Sequence, residues 1–221
     1  MKPQSTDEIA IPSRRAALIM GAALPAGLLL ARAATAHADA SFGSSETKAM
    51  QFLEALESLQ TEFFACAAAS AAFDGMEERE RDVFAAIATQ DRQHSEWFRQ
   101  ARRKYGVAEH SGAYSPNLSR SRPVTVYTFQ MGSFETRAKL IPLAISIKDT
   151  AVGVYHSFVG SVGNGEVAQA FAALAGVEGR HSAALHEIGG TQSLPNAFEA
   201  VISPKTAYNR LQSTGFRPEA L

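Results

Sequence analysis

Residues 177–185 read VEGRHSAAL. Glu178 and His181 stand three apart in a run of small and apolar residues, between Leu174 and Leu185. Extended both ways, the stretch becomes the helical series Val167, Phe171, Leu174, Glu178, His181, Leu185, Ile188. The two ionisable residues are therefore members of an apolar stripe rather than its border. Burying such a pair costs several kcal/mol unless something offsets it. The compensation must come from elsewhere in the chain.

A second stripe repeats the device. Phe84, Ile87, Asp91, His94 and Phe98 again place a carboxylate and a histidine three apart in mid-stripe. In the series Ile145, Asp149, Val152, His156, Val159 a single acid, Asp149, lies in the seam. Glu62 borders a fourth stripe, beside Leu59, Phe63 and Cys66. The spacings match between the two halves of the chain. Glu62 to Asp91 is 29 residues, as is Asp149 to Glu178; Glu62 to His94 is 32, as is Asp149 to His181. Two hairpins related by a pseudo-two-fold axis would bring these six side chains to one level. Four carboxylates and two imidazoles meeting inside a bundle form the donor set of a dinuclear non-haem metal site. Without cations, the acids would repel one another and some would stay protonated.

The periodic segments run from about Glu46 to Phe73, from Met76 to just before Gly106, from Ser133 to Val162, and from Asn164 to Gly189-Gly190. Acids open the second and basic residues close it, which suits the helix dipole. Pro142 should kink the third helix or mark its true start. The first and last connections are short, so each half predicts an antiparallel helical hairpin. Residues 106–132, rich in Ser, Pro and Gly, form a long central crossover; Val124–Thr128 within it reads as a short strand. The fold class expected is all-α: a four-helix bundle of ferritin-like topology with a long crossover between helices 2 and 3, plus a short C-terminal helix.

Bulk numbers exclude several other classes. The chain has 46% hydrophobic and 19% charged residues, a net charge of −1 and one cysteine. That balance is globular, without a basic block for nucleic acid, and Cys66 rules out a disulfide within the chain. Residues 1–38 read as a twin-arginine-type signal peptide: Arg14-Arg15, an Ala/Gly/Leu-rich run from Ala16 to Ala31, then Ala36-His37-Ala38 as a cleavage site. Ala17 stands where that signal usually carries Phe. The run falls short of the ~20 residues of a spanning helix, so membrane contact is expected only through the signal. Residues 39–190 then hold the bundle and 191–221 a tail packed on it. The mature protein is expected outside the cytoplasm, periplasmic or extracellular, with the twin-arginine export machinery as a partner.

The segments LESLQTEFF (56–64), QDRQHSEWF (90–98), IKDTAVGVYHSF (147–158) and LAGVEGRHSAAL (174–185) resemble the ferritin-like superfamily, close to exported ferritin-like domain proteins that include desiccation-related proteins. The resemblance implies Glu62, Asp91, His94, Asp149, Glu178 and His181 as metal ligands and two non-haem metal ions as cofactors, iron favoured over manganese. Asp91 and Asp149 depart from the commoner Glu and are one methylene shorter.

Other residues read more plainly. His156 and Tyr155 are expected as core residues with satisfied polar atoms, His186 as surface, Trp97 as core and Cys66 as a small buried hydrophobe. Glu54 and Glu57, flanking Leu56 and Leu59, are expected to be solvated. Three functions fit the stripes: oxidant handling at a dinuclear site, metal storage, or a stress-protective bundle with a structural metal. Catalytic residues and oligomeric state stay open, a homo-oligomer included.

Overall fold

A computed structural model describes residues 42–108, 127, 129–130, 132–192 and 199–214. The signal-like segment and most of the crossover lie outside these residues, including Val124–Val126 and Thr128 of the expected strand. Six α-helices and a closing 3-10 turn account for the regular structure among the described residues: α1 (Ser44–Ala68), α2 (Ala71–Asp74), α3 (Glu78–Tyr105), α4 (Arg137–Val159), α5 (Gly165–Ile188), α6 (Pro204–Leu211) and Gln212–Thr214. The bundle is built of α1, α3, α4 and α5, with α1 packed on α3 and α4 on α5.

The expected first helix divides in two. The Ser70 hydroxyl accepts the Phe73 N–H at 3.3 Å and donates to the Ala67 carbonyl at 2.6 Å. A serine that bonds the backbone on both sides ends one helix and caps the next. Helix α3 opens with the Glu80 carboxylate accepting the Glu77 N–H at 3.1 Å. It closes at Gly106, whose φ of 66° only glycine adopts cheaply. There the Val107 N–H reaches back to the Arg102 carbonyl at 2.9 Å, satisfying an end carbonyl.

Helix α4 begins at Arg137, so Pro142 falls in its second turn rather than at its start. The proline ring leaves the Ala138 carbonyl without its helical donor, which a helix tolerates near its N-terminus better than in its middle. Helix α5 is capped by Asn164, whose side chain accepts the Val167 N–H at 3.1 Å.

Two polar ties hold the ends of the bundle. The Glu46 carboxylate accepts N–H groups from Gly43 at 3.1 Å, Gly163 at 2.6 Å and Asn164 at 3.0 Å. Burial alone would raise its pKa, but these donors and its own N–H outweigh that and hold it below the usual range. At the opposite end, Arg137 of α4 donates to Glu80 of α3 at 2.8 Å and to the Ile188 carbonyl of α5 at 2.7 Å.

Buried aromatic rings fill the bundle on both sides of its middle. Phe63 meets Phe64, Phe129 and Phe134 at centroid distances of 5.1, 5.6 and 5.5 Å. Phe98 and Phe171 lie further along, 6.1 Å apart, with Trp97 half-buried against both. The C-terminal segment crosses α4 at Gly153, where the Ile202 N–H bonds the Gly153 carbonyl at 3.1 Å. A Cβ on Gly153 would lie 2.8 Å from the Ala200 carbonyl oxygen, so the crossing requires glycine. Helix α6 then packs on α4 through buried Ala207 and Leu211.

Candidate metal centre

The two carboxylate-x-x-histidine pairs face each other across the core. Asp91 and Glu178 are fully buried, and His94 and His181 nearly so. An i, i+3 spacing puts both members of a pair on one helix face, one turn apart. The two imidazole rings lie nearly parallel, 24° between planes and 6.0 Å between centroids.

From α1 the side chain that joins them is Glu57, not Glu62. Glu57 is fully buried, correcting the solvated position expected for it, and its Oε2 lies 3.4 Å from His94 Nδ1. Its Oε1 accepts the buried Tyr155 hydroxyl at 2.5 Å, so that tyrosine is packed with its hydroxyl bonded, as expected. Glu62 sits five residues further on, about 140° around the helix. It accepts the Tyr127 N–H at 3.3 Å, and the Tyr127 hydroxyl donates to the Ala55 carbonyl at 2.8 Å. Glu62 thus anchors the crossover, and nearby Cys66 is half-buried, its thiol pushed up by burial and by the Glu62 charge. Glu54 is also buried, accepting from Arg102 Nε at 3.2 Å.

From α4 the inward side chain is Lys148, not Asp149. The buried series along α4 is Ile141, Ala144, Lys148, Ala151, Tyr155, Phe158, one residue out of step with the stripe read from the sequence. Asp149 is therefore turned about 100° away. It is exposed and bonds Ser182 at 2.5 Å and His186 Nε2 at 3.2 Å. His186 also contacts Thr191 at 2.7 Å, which leaves it half-buried at the rim rather than free at the surface. His156 is likewise half-buried and takes no part in the cluster.

Lys148 Nζ sits among the carboxylates: 2.7 Å from Asp91 Oδ1, and 3.2 and 2.9 Å from Glu178 Oε1 and Oε2. It is fully buried, 5.5 Å from the Phe64 ring centroid. Burial would depress its pKa, yet Asp91, Glu178 and Glu57 raise it, so it carries an ammonium charge. For Glu178 burial acts upward, but Lys148 and the two histidines draw its pKa well below the usual range. Asp91 goes the other way: burial outweighs Lys148 and lifts it to about 6. Burial lowers the His94 pKa, and Glu57 and Glu178 more than reverse this, raising it to about 10. His181 is lowered, by burial first and Lys148 second.

Several polar atoms are left over. Glu57 Oε2, Asp91 Oδ2, His94 Nδ1 and His181 Nδ1 are buried without a hydrogen bond. His94 Nδ1 is 3.3 Å from Glu178 Oε1, close enough for attraction between charges but misaligned for a hydrogen bond. Each such atom costs about 1–3 kcal/mol. Glu57, Asp91, His94 and Glu178 each offer a ligand atom, and these lie within 4.8 Å of one another. Three carboxylates and an imidazole are a donor set suited to iron or manganese. A metal ion there would use the orphaned oxygens, and would displace the His94 proton on binding. His181, whose Nδ1 lies 3.5 Å from Glu178 and whose Nε2 contacts Gln90 at 3.0 Å, flanks this set.

Of the six ligands expected, Asp91, His94, Glu178 and His181 come together, while Glu62 and Asp149 stand elsewhere. Glu57 and Lys148 take their places. A family model for a ferritin-like domain matches residues 45–191. A solved structure of a hypothetical protein from Methanococcus jannaschii DSM 2661 shares the fold, with a TM-score of 0.55 at 12% identity. The match covers 81% of this chain and 99% of that one. No curated protein matches the chain in sequence.

Proposed function

The chain belongs to the ferritin-like domain family, and from that premise we propose that it is an exported bundle that handles oxidants at a non-haem metal centre, iron before manganese. Glu57, Asp91, His94 and Glu178 would hold the metal, with His181 beside it. When bound, such a metal supplies redox chemistry with oxygen or peroxide. The protein's part is to hold the carboxylates in register, exclude bulk water and keep Tyr155 hydrogen-bonded to Glu57. The observation that carries the reading is the convergence of unpartnered Glu57, Asp91 and His94 atoms, from α1 and α3, beside Glu178 of α5 in the buried core.

Metal analysis after anaerobic loading with Fe(II) or Mn(II) tests it, followed by ferrous-oxidation and peroxide-consumption assays. Bound metal, oxidant turnover and loss of both in His94→Ala are expected. A wild-type chain that takes up neither metal would sink the reading. A second reading, a stress-protective bundle without redox turnover, draws support from the Lys148 ammonium, which already offsets two of the carboxylates. Binding without turnover would favour it. Storage would instead require a shell-sized assembly in gel filtration.

Export rests on the paired arginines, the apolar run and the small-x-small site in residues 1–38. In a host with a twin-arginine pathway, the exported protein is expected to start at Asp39 by N-terminal sequencing. Retention of the uncut chain in the cytoplasm would refute it.

A further inference from the structure

The Lys148 ammonium occupies the middle of the carboxylate cluster, and we infer that it serves as a built-in second cation, so that the core takes one metal ion per chain rather than two. The inference rests on the metal-binding reading above and refines its stoichiometry.

Three observations carry it. The first is position. Nζ contacts Asp91 of α3 and both oxygens of Glu178 of α5, the carboxylates that the two carboxylate-x-x-histidine pairs supply. A dinuclear site of this fold takes a lone carboxylate from each of the other two helices. Helix α1 provides one, Glu57; the corresponding inward position of α4 is Lys148, at the same buried level. The second is charge. Glu57, Asp91 and Glu178 carry three negative charges when ionised, which neutralise one divalent cation together with one ammonium. Two divalent cations beside that ammonium would leave a buried excess of two positive charges, which a dry interior resists strongly. The third is the pattern of leftover atoms. Lys148 satisfies Glu178 and one oxygen of Asp91, and the atoms left unpartnered include Glu57 Oε2, Asp91 Oδ2 and His94 Nδ1. The residues that bear them belong to the four-residue group that could hold an ion among the described residues.

The carboxylates thus divide between two cations, one covalently tethered. Lys148 would order Asp91 and Glu178 before any metal arrives and would limit the affinity of the neighbouring site by repulsion.

The test measures stoichiometry and affinity for Mn(II) by equilibrium dialysis, with folding followed by circular dichroism. The wild-type chain is expected to bind one Mn(II), and Lys148→Glu, which restores a fourth carboxylate, to bind two. Lys148→Met should keep one ion but bind it at least tenfold more tightly, since a positive charge has been removed. This variant decides the matter if Lys148→Glu does not fold. Two ions in the wild type, or one in a folded Lys148→Glu, would overturn the inference. So would Lys148→Met affinity equal to or weaker than wild type. If neither wild type nor Lys148→Met binds Mn(II) or Fe(II), the metal-binding reading itself falls. A wild type that binds no metal sinks that reading even where Lys148→Met binds one, whereas two ions in the wild type would overturn only the tethered-cation stoichiometry.

Discussion

Replacing Glu178 by leucine in the metal-free protein is expected to lower stability by about 3–5 kcal/mol, the range for removing one partner of a buried ion pair. Lys148, fully buried, would then keep a single carboxylate contact, at Asp91 Oδ1. His94 and His181 would also lose the Glu178 oxygen that lies 3.3 and 3.5 Å from them. The double variant Glu178→Leu/Lys148→Met should recover part of that loss, because the ammonium no longer lacks its carboxylate, while buried Asp91 gives up its Lys148 contact. Urea unfolding in the presence of a chelator measures all three chains. A single-variant loss below about 1 kcal/mol, the level of a surface pair, would mean that the ammonium is not held by Glu178.

Glu57→Ala is expected to abolish metal binding, whereas Glu62→Ala and Asp149→Ala retain it. Glu57 contributes one of the four ligand atoms that lie together, and the other three come from only two helices. Without it, an ion would lack its contact with α1. Glu62 holds the backbone of Tyr127, so its loss should loosen the crossover at a cost of about 1–3 kcal/mol. Asp149 stands exposed beside His186 and Ser182, and its loss should hardly change stability. Metal content after dialysis separates the three. Metal lost from Glu62→Ala or Asp149→Ala, but kept in Glu57→Ala, would restore the assignment that matched spacing suggested.

The contrast explains how far the residues alone could lead. The stripe is unambiguous on α3, where solvent-facing charges separate successive inward positions, and on α5, where small residues and Gln169 do, and Asp91, His94, Glu178 and His181 interrupt apolar series. Helix α1 defeats that approach. From Phe52 to Phe64 it is buried on every side, so no polar face marks the direction of its inward edge. Glu57, flanking Leu56, reads as solvated, and the equal spacing of 29 residues favours Glu62. On α4 the cause is different. The series Ile145, Asp149, Val152, His156, Val159 supplies a fourth carboxylate, and a buried lysine is rare unless paired, so the sequence offers no signal for the inward series that runs one residue earlier through Lys148. The matched spacings thus signalled two similar hairpins without fixing the inward residue of α1 or α4.

Helix positions followed from the sequence because caps and periodicity are local: Gly106 closes α3, Asn164 opens α5, and apolar residues recur every three or four positions. The same local logic exposed the two carboxylate-x-x-histidine pairs. The partner of those pairs was not a local property. It depended on how α1 and α4 rotate about their axes when their aromatic residues pack, and that rotation turns Glu57 and Lys148 inward. VEGRHSAAL by itself established that something must compensate Glu178 and His181. Only the packed bundle showed that an ammonium from Lys148 already supplies part of it, because a rotation of 100° per residue places either Lys148 or Asp149 in the core, and never both.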